Sequence, residues 1–567
     1  MAASFCQAFA MFSISGQKSA ASALARRAAS TFNTYTTSLR VVKSHWLILI
    51  LACYFAFVLN LGFWRFVLER LELANGGMFM FAVSLPFLAL LLFACFFSLL
   101  VIPVLGKPIV ITLLLVSSAV NCFIYTMGIA IDSDMIRNVF ETNPREAFDF
   151  ITWTSVGWVA VTGLLPALLL AFCEISYQSF RKEVFIRIIL FFLVVITIGA
   201  LSVPLTKEYA SFFRNHNKAR KMLNTFNYIY SSIRYFQIIS LAKREFVWLD
   251  REVTSENPER KNLMILVVGE TARAMNFSLN GYERETNPLL SGQNIVNFSN
   301  ATSCGTATAV SVPCMFSHKG RKGFDVDEAR YTQNLLDVLS LAGYKILWLE
   351  NDNGCKGVCE RVETEYVVKS GDRTHCEKDY CRDAVMLARV EERIKNHAKN
   401  EMIVLHTMGS HGPSYYQRYP EAFKRFTPTC DTADIHRCSR EAIVNTYDNT
   451  VLYTDYFLSS IIDLARQFPE REISLIYASD HGESLGENGV YLHGLPYAVA
   501  PQEQKHIPFI MWLSDAAQKR VDYTCLKTKA ENFPVQHDHL FHSILGFLNI
   551  KTSMFDPTLD IFQGCAL

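Results

Sequence analysis

The chain carries almost no net charge, since 54 lysines and arginines stand against 53 aspartates and glutamates. This balance lacks the basic excess that marks many nucleic-acid-binding proteins, so no nucleic-acid partner is expected. The sequence also lacks an internal repeat and a low-complexity tract, which excludes a repeat architecture. Charge is also missing from the middle of five long apolar stretches, which makes buried helices of a soluble core a poor explanation for them.

Each of the five stretches is long enough to cross a hydrocarbon core about 30 Å thick, which requires ~20 apolar residues. They lie near Trp46–Trp64, Met78–Pro103, Ile109–Ile129, Val156–Ile175 and Phe185–Val203. After about residue 205 the apolar residues come in short runs, as in a soluble α/β domain. The sequence therefore predicts a membrane-anchored protein with a large soluble portion.

Basic residues mark one side of the membrane. The first 44 residues contain no acid, and the connections after the second and fourth stretches are basic, whereas the intervening loop is rich in acids. The positive-inside rule makes the basic side cytoplasmic, and an odd number of spans then places everything after residue 205 outside. An acid-free N-terminus is also typical of an organellar transit peptide, but a cytoplasmic tail explains it equally well.

Cysteine usage tests this topology independently. Ten of the 15 cysteines lie after residue 205, and short-range pairs in an oxidising compartment are typical of disulfides. A zinc site at Cys355 and Cys359 is the rival interpretation, but thiolates would be oxidised there. Nearest-neighbour pairing gives Cys304/Cys314, Cys355/Cys359, Cys376/Cys381, Cys430/Cys438 and Cys525/Cys565. Both lines of evidence predict a periplasmic or extracellular domain.

Four parts follow from these boundaries. Residues 1–44 form a cytoplasmic tail, 45–205 a five-span transmembrane domain, 206–260 a linker and 261–567 the outer domain. The linker is basic and aromatic, which suits either a helix on an anionic membrane surface or a segment packed on the outer domain. In the outer domain strand-like runs alternate with helical ones, which predicts a mostly parallel sheet between two layers of helices.

Three of the strand-like runs end in residues that can bind a metal. Glu270 follows the run 263–268, Asp480 and His481 follow the run 473–479, and the run 402–405 leads into His406 and then His411. Parallel strands present their carboxyl ends at one edge of the sheet, so these side chains should converge. Glu270, Asp480 and His481 would supply three protein ligands, the usual share of a catalytic zinc with one open position.

A small-residue turn at 302–311 supplies candidate nucleophiles. It opens a short helix, and the backbone N–H groups at a helix start hold phosphate oxygens. Zinc would lower the pKa of a hydroxyl placed there. From the residues alone Thr306, Thr308 and Ser311 all remain candidates, and each could equally be a helix cap.

Five ordered motifs together carry a resemblance to a family. They are Val268-Gly269-Glu270-Thr271-Ala272-Arg273, Asn280-Gly281-Tyr282-Glu283-Arg284, Ser303-Cys304-Gly305-Thr306-Ala307-Thr308-Ala309, Ser410-His411-Gly412-Pro413 and Ser479-Asp480-His481-Gly482-Glu483-Ser484-Leu485-Gly486-Glu487. In these motifs the chain resembles the phosphoethanolamine transferases, which include the lipid A-modifying and mobile colistin-resistance enzymes of the alkaline phosphatase superfamily. The resemblance covers the whole chain, from the five spans to the cysteine-rich domain.

The resemblance implies a set of site residues. Zinc would be held by Glu270, Thr308, Asp480 and His481, with Thr308 rather than Thr306 as the nucleophile. His411 and His493 would lie near the transferred phosphate, where they would bind substrate, act as acid or base, or hold a second zinc. Substrate-binding residues would be Asn138, Thr142 and Glu146 in the outer loop and Asn353 and Lys356 in a second loop. Some family members carry Ser at the position of Asn353, and a plain helix cap also explains Asn138 and Thr142.

The resemblance also implies an activity and a location. The protein would transfer phosphoethanolamine from phosphatidylethanolamine to a phosphate of lipid A in lipopolysaccharide, which would weaken polymyxin binding. It would be a multi-pass protein of the bacterial inner membrane, among membrane lipids, with an alkaline phosphatase/sulfatase-like catalytic domain in the periplasm. Transfer to a core sugar of lipopolysaccharide, or phosphoglycerol transfer to another envelope glycan, are the alternatives.

Two other classes fit the residues poorly. A sulfatase would need Cys-x-(Pro/Ser)-x-Arg to build formylglycine, whereas Cys304 is followed by Gly-Thr-Ala-Thr. In a non-catalytic membrane scaffold or sensor we would expect some of the metal ligands to be replaced. The four implied ligands, Glu270, Thr308, Asp480 and His481, are all present here.

Overall fold

The computed structural model describes residues 41–71, 76–133, 135–136, 153–242, 244–377 and 380–567. These residues form two compact units. The membrane unit comprises the described parts of Met1–Leu71, Ala82–Leu201 and Lys218–Tyr235. The α/β unit comprises the described parts of Glu72–Phe81, Ser202–Asn217 and Phe236–Leu567. Asn138, Thr142 and Glu146 lie outside the described residues.

Five helical segments of the described chain are long and apolar enough to cross a membrane, as predicted. They are Ser44–Arg70, Gly76–Leu100, Gly106–Thr126, Trp153–Phe172 and Phe180–Ser202. The helices are α1 (Ser44–Phe57), α2 (Leu61–Arg70), α3 (Gly76–Leu100), α4 (Gly106–Met127), α5 (Trp153–Val159), α6 (Leu165–Phe172) and α7 (Phe180–Ser202). Two short parallel strands, β1 (Val41–Lys43) and β2 (Glu174–Ser176), pair with each other.

A buried polar junction ties the membrane unit together where three segments meet. The backbone N–H of Asn224 donates to Asn60 Oδ1 at 2.7 Å, and its side-chain amide donates to the carbonyls of Leu59 and Ser117 at 2.7 Å each. Because an unsatisfied polar group costs several kcal/mol in an apolar environment, these bonds fix the chain after residue 217 against the spans.

The predicted linker is divided between the two units. It contains α8 (Thr206–Asn215), α9 (Asn217–Met222) and α10 (Phe226–Ala242). Helix α8 belongs to the α/β unit and is held there by polar contacts. Lys207 Nζ donates to the carbonyl of Cys438 at 2.5 Å, Ser211 Oγ lies 3.1 Å from His436 Nδ1, and Asn215 Nδ2 donates to Asp434 Oδ1 at 2.6 Å.

The α/β unit contains one eight-stranded sheet. Its strands are β4 (Asn262–Gly269), β5 (Val296–Thr302), β6 (Lys345–Glu350), β7 (Glu363–Tyr366), β10 (Glu401–His406), β11 (Glu472–Ser479), β14 (His506–Leu513) and β15 (Val535–Gln536). Their order is β15-β5-β14-β11-β4-β10-β6-β7, and β14 alone runs antiparallel to its two neighbours. Smaller strands are β3 (Thr254–Ser255), β8 (Cys376–Glu377), β9 (Tyr380–Cys381), β12 (Ser484–Leu485), β13 (Tyr491–Leu492) and β16 (Ile550–Lys551).

Both faces of the sheet are covered, as the sequence predicts. In β4, Met264, Leu266 and Val268 enter one hydrophobic cluster, and Leu263, Ile265 and Val267 enter the other. A strand buried on both faces reads as a continuous apolar run, which is why this one is visible in the sequence. The helices are α11 (Thr308–Met315), α12 (Gly320–Gly323), α13 (Val326–Ala329), α14 (Leu335–Leu341), α15 (Leu387–Asn396), α16 (Arg440–Arg466), α17 (Asp515–Gln518), α18 (Tyr523–Asn532) and α19 (Asp538–Leu548).

Five disulfides join the nearest-neighbour cysteines. The pairs are Cys304–Cys314, Cys355–Cys359, Cys376–Cys381, Cys430–Cys438 and Cys525–Cys565. The free cysteines of the described chain are Cys53, Cys95, Cys122 and Cys173, and all four precede residue 205. Each cross-link of this kind contributes ~2–4 kcal/mol, mainly by constraining the unfolded chain.

The pairing predicts the outcome of thiol labelling. Alkylation of the intact, unreduced protein after denaturation should modify no cysteine beyond residue 205, because all ten would be oxidised in the periplasm. Peptide mass spectrometry of the same sample after reduction, which should release all ten thiols, is the control. Modification of Cys304 or Cys314 before reduction would contradict the topology.

Candidate functional site

Three buried side chains converge at the carboxyl ends of two neighbouring strands. Glu270 follows β4, Asp480 and His481 follow β11, and all three are 0% exposed. His481 Nε2 lies 3.3 Å from Asp480 Oδ2 and 3.7 Å from Glu270 Oε1. Burial raises the pKa of Asp480 to about 6, and burial and then Asp480 raise the pKa of Glu270. Two buried carboxylates so close together call for a cation between them.

The backbone holds these three side chains in place. Asp480 Oδ1 accepts hydrogen bonds from the backbone N–H groups of Thr271 at 3.0 Å and His481 at 2.7 Å, whereas Oδ2 is buried without a hydrogen bond. The ring Nδ1 of His481 lies 2.9 Å from the carbonyl of Gly482, which fixes the proton on Nδ1 and leaves the Nε2 lone pair free. One orphaned carboxylate oxygen and one free imidazole nitrogen fit a bound metal.

Thr271 adopts a left-handed backbone with φ of 60°. This conformation is strained for a β-branched residue. Two hydrogen bonds maintain it: the one from its N–H to Asp480, and one from the Tyr447 hydroxyl to its carbonyl at 2.8 Å. The chain therefore turns sharply after Glu270, which keeps that carboxylate at the sheet edge.

Among the three candidate hydroxyls, Thr308 alone contacts this cluster. It is the first residue of α11, and its Oγ1 donates to Glu270 Oε2 at 3.1 Å and lies 3.4 Å from His481 Nε2. Thr306 Oγ1 donates instead to the carbonyl of Leu495 at 2.6 Å. Ser311 Oγ is buried and accepts from the backbone N–H of Gly305 at 2.9 Å. The geometry therefore separates hydroxyls that the residue types leave equivalent.

His493 and His411 lie beside the cluster. The His493 ring centroid is 4.3 Å from that of His481 and 5.9 Å from that of His411. Burial lowers the pKa of His411 to about 3, and burial, His481 and Arg214 lower the pKa of His493 well below its ordinary value. Both imidazoles are therefore neutral in this environment.

Three further side chains hold His493 in place, and the sequence alone gave none of them a role in the site. The ring Nδ1 of His493 lies 2.7 Å from Glu483 Oε2, and the Tyr415 hydroxyl donates to the other oxygen of Glu483. Arg214 Nη1 lies 3.2 Å from His493 Nε2, and Nη2 donates to the His493 carbonyl at 3.0 Å. Glu483 stands in the Asp-His-Gly-Glu motif, which is a signal for it. Arg214 comes from helix α8, and no local pattern distinguishes it from the other basic residues there.

The second predicted substrate loop adopts a tight turn. Lys356 has a positive φ of 54°, and its Nζ donates to the carbonyl of Asn353 at 2.7 Å. Asn353 Nδ2 donates to Asp352 Oδ1 at 3.2 Å. Among the hydrogen bonds of the described residues, none joins Asn353 or Lys356 to Glu270, Thr308, Asp480 or His481.

Comparison with known proteins extends over almost the whole chain. A family model described as "Phosphoethanolamine transferase EptA/EptB" matches residues 88–238, and one described as "Sulfatase" matches residues 262–550. Phosphoethanolamine transferase EptA of Escherichia coli K12 is 41% identical over 531 residues, which are 92% of this chain and 96% of that protein. Phosphatidylethanolamine transferase Mcr-1 of Escherichia coli is 36% identical, with 80% of this chain and 84% of that protein covered.

Solved structures agree. The integral membrane lipooligosaccharide phosphoethanolamine transferase A of Neisseria meningitidis matches with a TM-score of 0.62 and 37% identity, over 93% of this chain and 99% of that one. Its soluble domain matches with a TM-score of 0.56 and 45% identity, over 57% of this chain and 99% of that one. Together with the five spans, these matches show that the protein is a multi-pass inner-membrane enzyme with a periplasmic catalytic domain. The identity along nearly the full length of both partners shows that the chain belongs to the phosphoethanolamine transferase family.

Proposed function

We propose that the enzyme transfers phosphoethanolamine from phosphatidylethanolamine to a phosphate of lipid A, by way of a phosphoethanolamine group on Thr308. The observation that carries this proposal is the position of the Thr308 hydroxyl, 3.1 Å from Glu270 and 3.4 Å from His481 at the start of a helix. The names of two relatives support the donor and the class of acceptor: one is a phosphatidylethanolamine transferase, and the other is a Kdo(2)-lipid A phosphoethanolamine 7''-transferase, which acts on a lipid A-containing glycolipid.

Zinc is the metal that this donor set suits. Carboxylate oxygens and an imidazole nitrogen are common zinc ligands, and we assign them to Glu270, Asp480 and His481, with Thr308 as the fourth ligand. When bound, zinc would lower the pKa of the Thr308 hydroxyl and offset negative charge on the phosphoryl oxygens.

The reaction divides into two displacements. In the first, Thr308 Oγ1 bonds to phosphorus as the bond from phosphorus to the glyceride oxygen breaks, and diacylglycerol leaves as an alcohol. In the second, an oxygen of the acceptor phosphate attacks the same phosphorus, and Thr308 regains its hydroxyl. The two amphiphilic substrates need not occupy the site together, which suits a covalent intermediate.

Proton transfer falls to the buried residues around Thr308. The Thr308 hydroxyl donates to Glu270, which gives its proton a path away from the nucleophile. The departing glyceride oxygen requires a proton, and His493 or His411 would relay it as a neutral ring that takes up a proton on one nitrogen and gives one up from the other. Glu483, whose pKa burial raises to about 7, lies against His493 Nδ1 and can exchange a proton with it near neutral pH.

Mass spectrometry of lipid A from otherwise identical cells with and without the protein tests this function. Lipid A should gain a phosphoethanolamine group only in expressing cells, and those cells should bind less polymyxin because a cationic amine then masks phosphate charge. Unmodified lipid A together with a modified core sugar would show that the acceptor is wrong.

Arg214→Gln should impair catalysis and move its pH dependence. Arg214 lowers the pKa of His493, so removing the guanidinium raises that pKa and shifts the acidic limb of the pH–rate profile to higher pH. The rate near neutral pH should fall about tenfold or more, since a hydrogen bond to a charged group is worth ~1.5–3 kcal/mol. The control is Lys207→Gln, which removes another polar contact of α8 but none with His493. An unshifted profile in Arg214→Gln would contradict this role.

A further inference from the structure

A second group of metal-binding side chains lies on the other side of Glu270 from Asp480. An oxygen of Glu270, an oxygen of Asp352 and a ring nitrogen of His406 all lie within 4.8 Å of one another. These residues stand at the carboxyl ends of β4, β6 and β10, and the order β11-β4-β10-β6 places them along one edge. No hydrogen bond joins any two of the three, although they are close enough together to bind the same metal ion.

His406 is oriented for this purpose by Glu350. Its ring Nδ1 lies 2.9 Å from one oxygen of Glu350 and 3.1 Å from the other. Glu350 is fixed in turn by Trp348 Nε1 at 2.8 Å and by the backbone N–H of Asp352 at 2.8 Å. A carboxylate that accepts the hydrogen bond from Nδ1–H leaves the Nε2 lone pair for a metal, which is how ligating histidines are usually held.

The other ring nitrogen is an orphan. His406 is 0% exposed, and its Nε2 has no hydrogen-bond partner. An unsatisfied buried polar atom costs about 1–3 kcal/mol, and a cation bound at Nε2 would offset that cost. Asp352, by contrast, is only half-buried, which leaves a route by which an ion could enter.

We propose that Glu270, Asp352 and His406 bind a second divalent cation, Zn²⁺ or Mn²⁺, and that Glu270 is shared with the zinc held by Asp480 and His481. Two carboxylates and one imidazole suit these ions better than Mg²⁺, which prefers oxygen alone. The second ion would anchor the Glu270 carboxylate and add positive charge beside the transferred phosphoryl group.

The group around His493 is a weaker candidate for a second ion. Glu270, His481 and His493 also converge. However, both ring nitrogens of His493 are already engaged, Nδ1 by Glu483 and Nε2 by Arg214. His406 therefore offers a free nitrogen where His493 offers none.

Metal counting on the full-length protein in detergent tests the proposal. The protein is stripped with a chelator, incubated with excess Zn²⁺ or Mn²⁺, desalted and analysed by inductively coupled plasma mass spectrometry. The wild type should hold two ions per chain, Asp352→Ala one, and Asn353→Ala, on the same loop, two. His493→Ala should also keep two, because the second ion does not depend on that ring.

His406→Gln provides a second variant, with its melting temperature measured to show that it is folded. It should also hold one ion. When Mn²⁺ is added to protein loaded with one equivalent of Zn²⁺, the wild type should give the electron paramagnetic resonance signal of bound Mn²⁺ and His406→Gln should not. One ion per wild-type chain, two in Asp352→Ala, or a loss in His493→Ala would overturn the proposal. Because the count requires no turnover, its failure and a failure of the transfer assay are distinguishable.

Discussion

Thr308→Ala should abolish both displacements while leaving the protein folded. The change removes the hydroxyl that donates to Glu270 at 3.1 Å, and Glu270, Asp480 and His481 remain to hold metal. The transfer rate should fall by roughly a thousandfold or more, as expected when an enzyme loses its nucleophile. Lipid A transfer assays on purified protein measure the loss, and zinc content and melting temperature show that the variant is otherwise intact.

Thr306→Ala is the matched control, because Thr306 lies in the same turn and its hydroxyl bonds only to the Leu495 carbonyl among the described residues. This variant should lose about 1 kcal/mol of stability and little activity. Incubation of the wild type with phosphatidylethanolamine alone, followed by peptide mass spectrometry, should find phosphoethanolamine on Thr308. An adduct on Thr306, or transfer that survives in Thr308→Ala, would refute the assignment.

Gly482→Ala should be among the most destabilising single methyl additions in the protein. A Cβ atom there would lie 2.1 Å from the backbone oxygen of Glu503 and 3.2 Å from the Cβ of Arg273. The backbone cannot move aside without breaking the bond from the Gly482 N–H to the Gln504 carbonyl at 3.1 Å. The free energy of unfolding should fall by about 3 kcal/mol or more, and metal affinity should fall with it because His481 is adjacent.

Gly292→Ala is the control for an added methyl group, since nothing lies within 4 Å of its Cβ position. Its stability should stay within about 0.5 kcal/mol of the wild type. Thermal unfolding of both variants in detergent, with and without zinc, gives the comparison. A melting temperature of Gly482→Ala equal to that of Gly292→Ala would show that the Glu503 backbone yields more easily than its hydrogen bonds indicate.

The sequence indicated the part of the sheet that carries Glu270, Asp480 and His481, because those strands are buried on both faces. Strands β4, β10 and β11 appear as short apolar runs that stop at polar residues. Strands β5 and β14 are much less visible. In β5 buried and exposed residues are mixed, and in β14 Pro508 interrupts the run where the register with β5 shifts. A proline is accommodated at such an irregularity, so its presence hides a central strand.

Two residues whose contacts could not be predicted from the sequence, His406 and Arg214, depend on pairing between distant segments. His406 is significant only because the register of β10 on β6 sets it opposite Glu350. Arg214 is significant only because α8 packs against distant segments of the α/β unit, which brings it to His493. Neither pairing has a local signature, since a histidine at a strand end and an arginine in a basic helix are common. The choice of Thr308 over Thr306 and Ser311 likewise required the position of the start of α11 relative to Glu270.

Helix α8 also affects the design of soluble fragments for inhibitor discovery. A fragment that begins at the predicted domain boundary, residue 261, would omit Arg214, Ser211 and Lys207, although all three contact the rest of the α/β unit. His493 would then face water in place of a guanidinium, and its imidazole would become more basic. Compounds selected against that fragment would be chosen for a pocket that lacks the positive charge of Arg214. A fragment that starts before Thr206 would present the pocket as the cell-bound enzyme does.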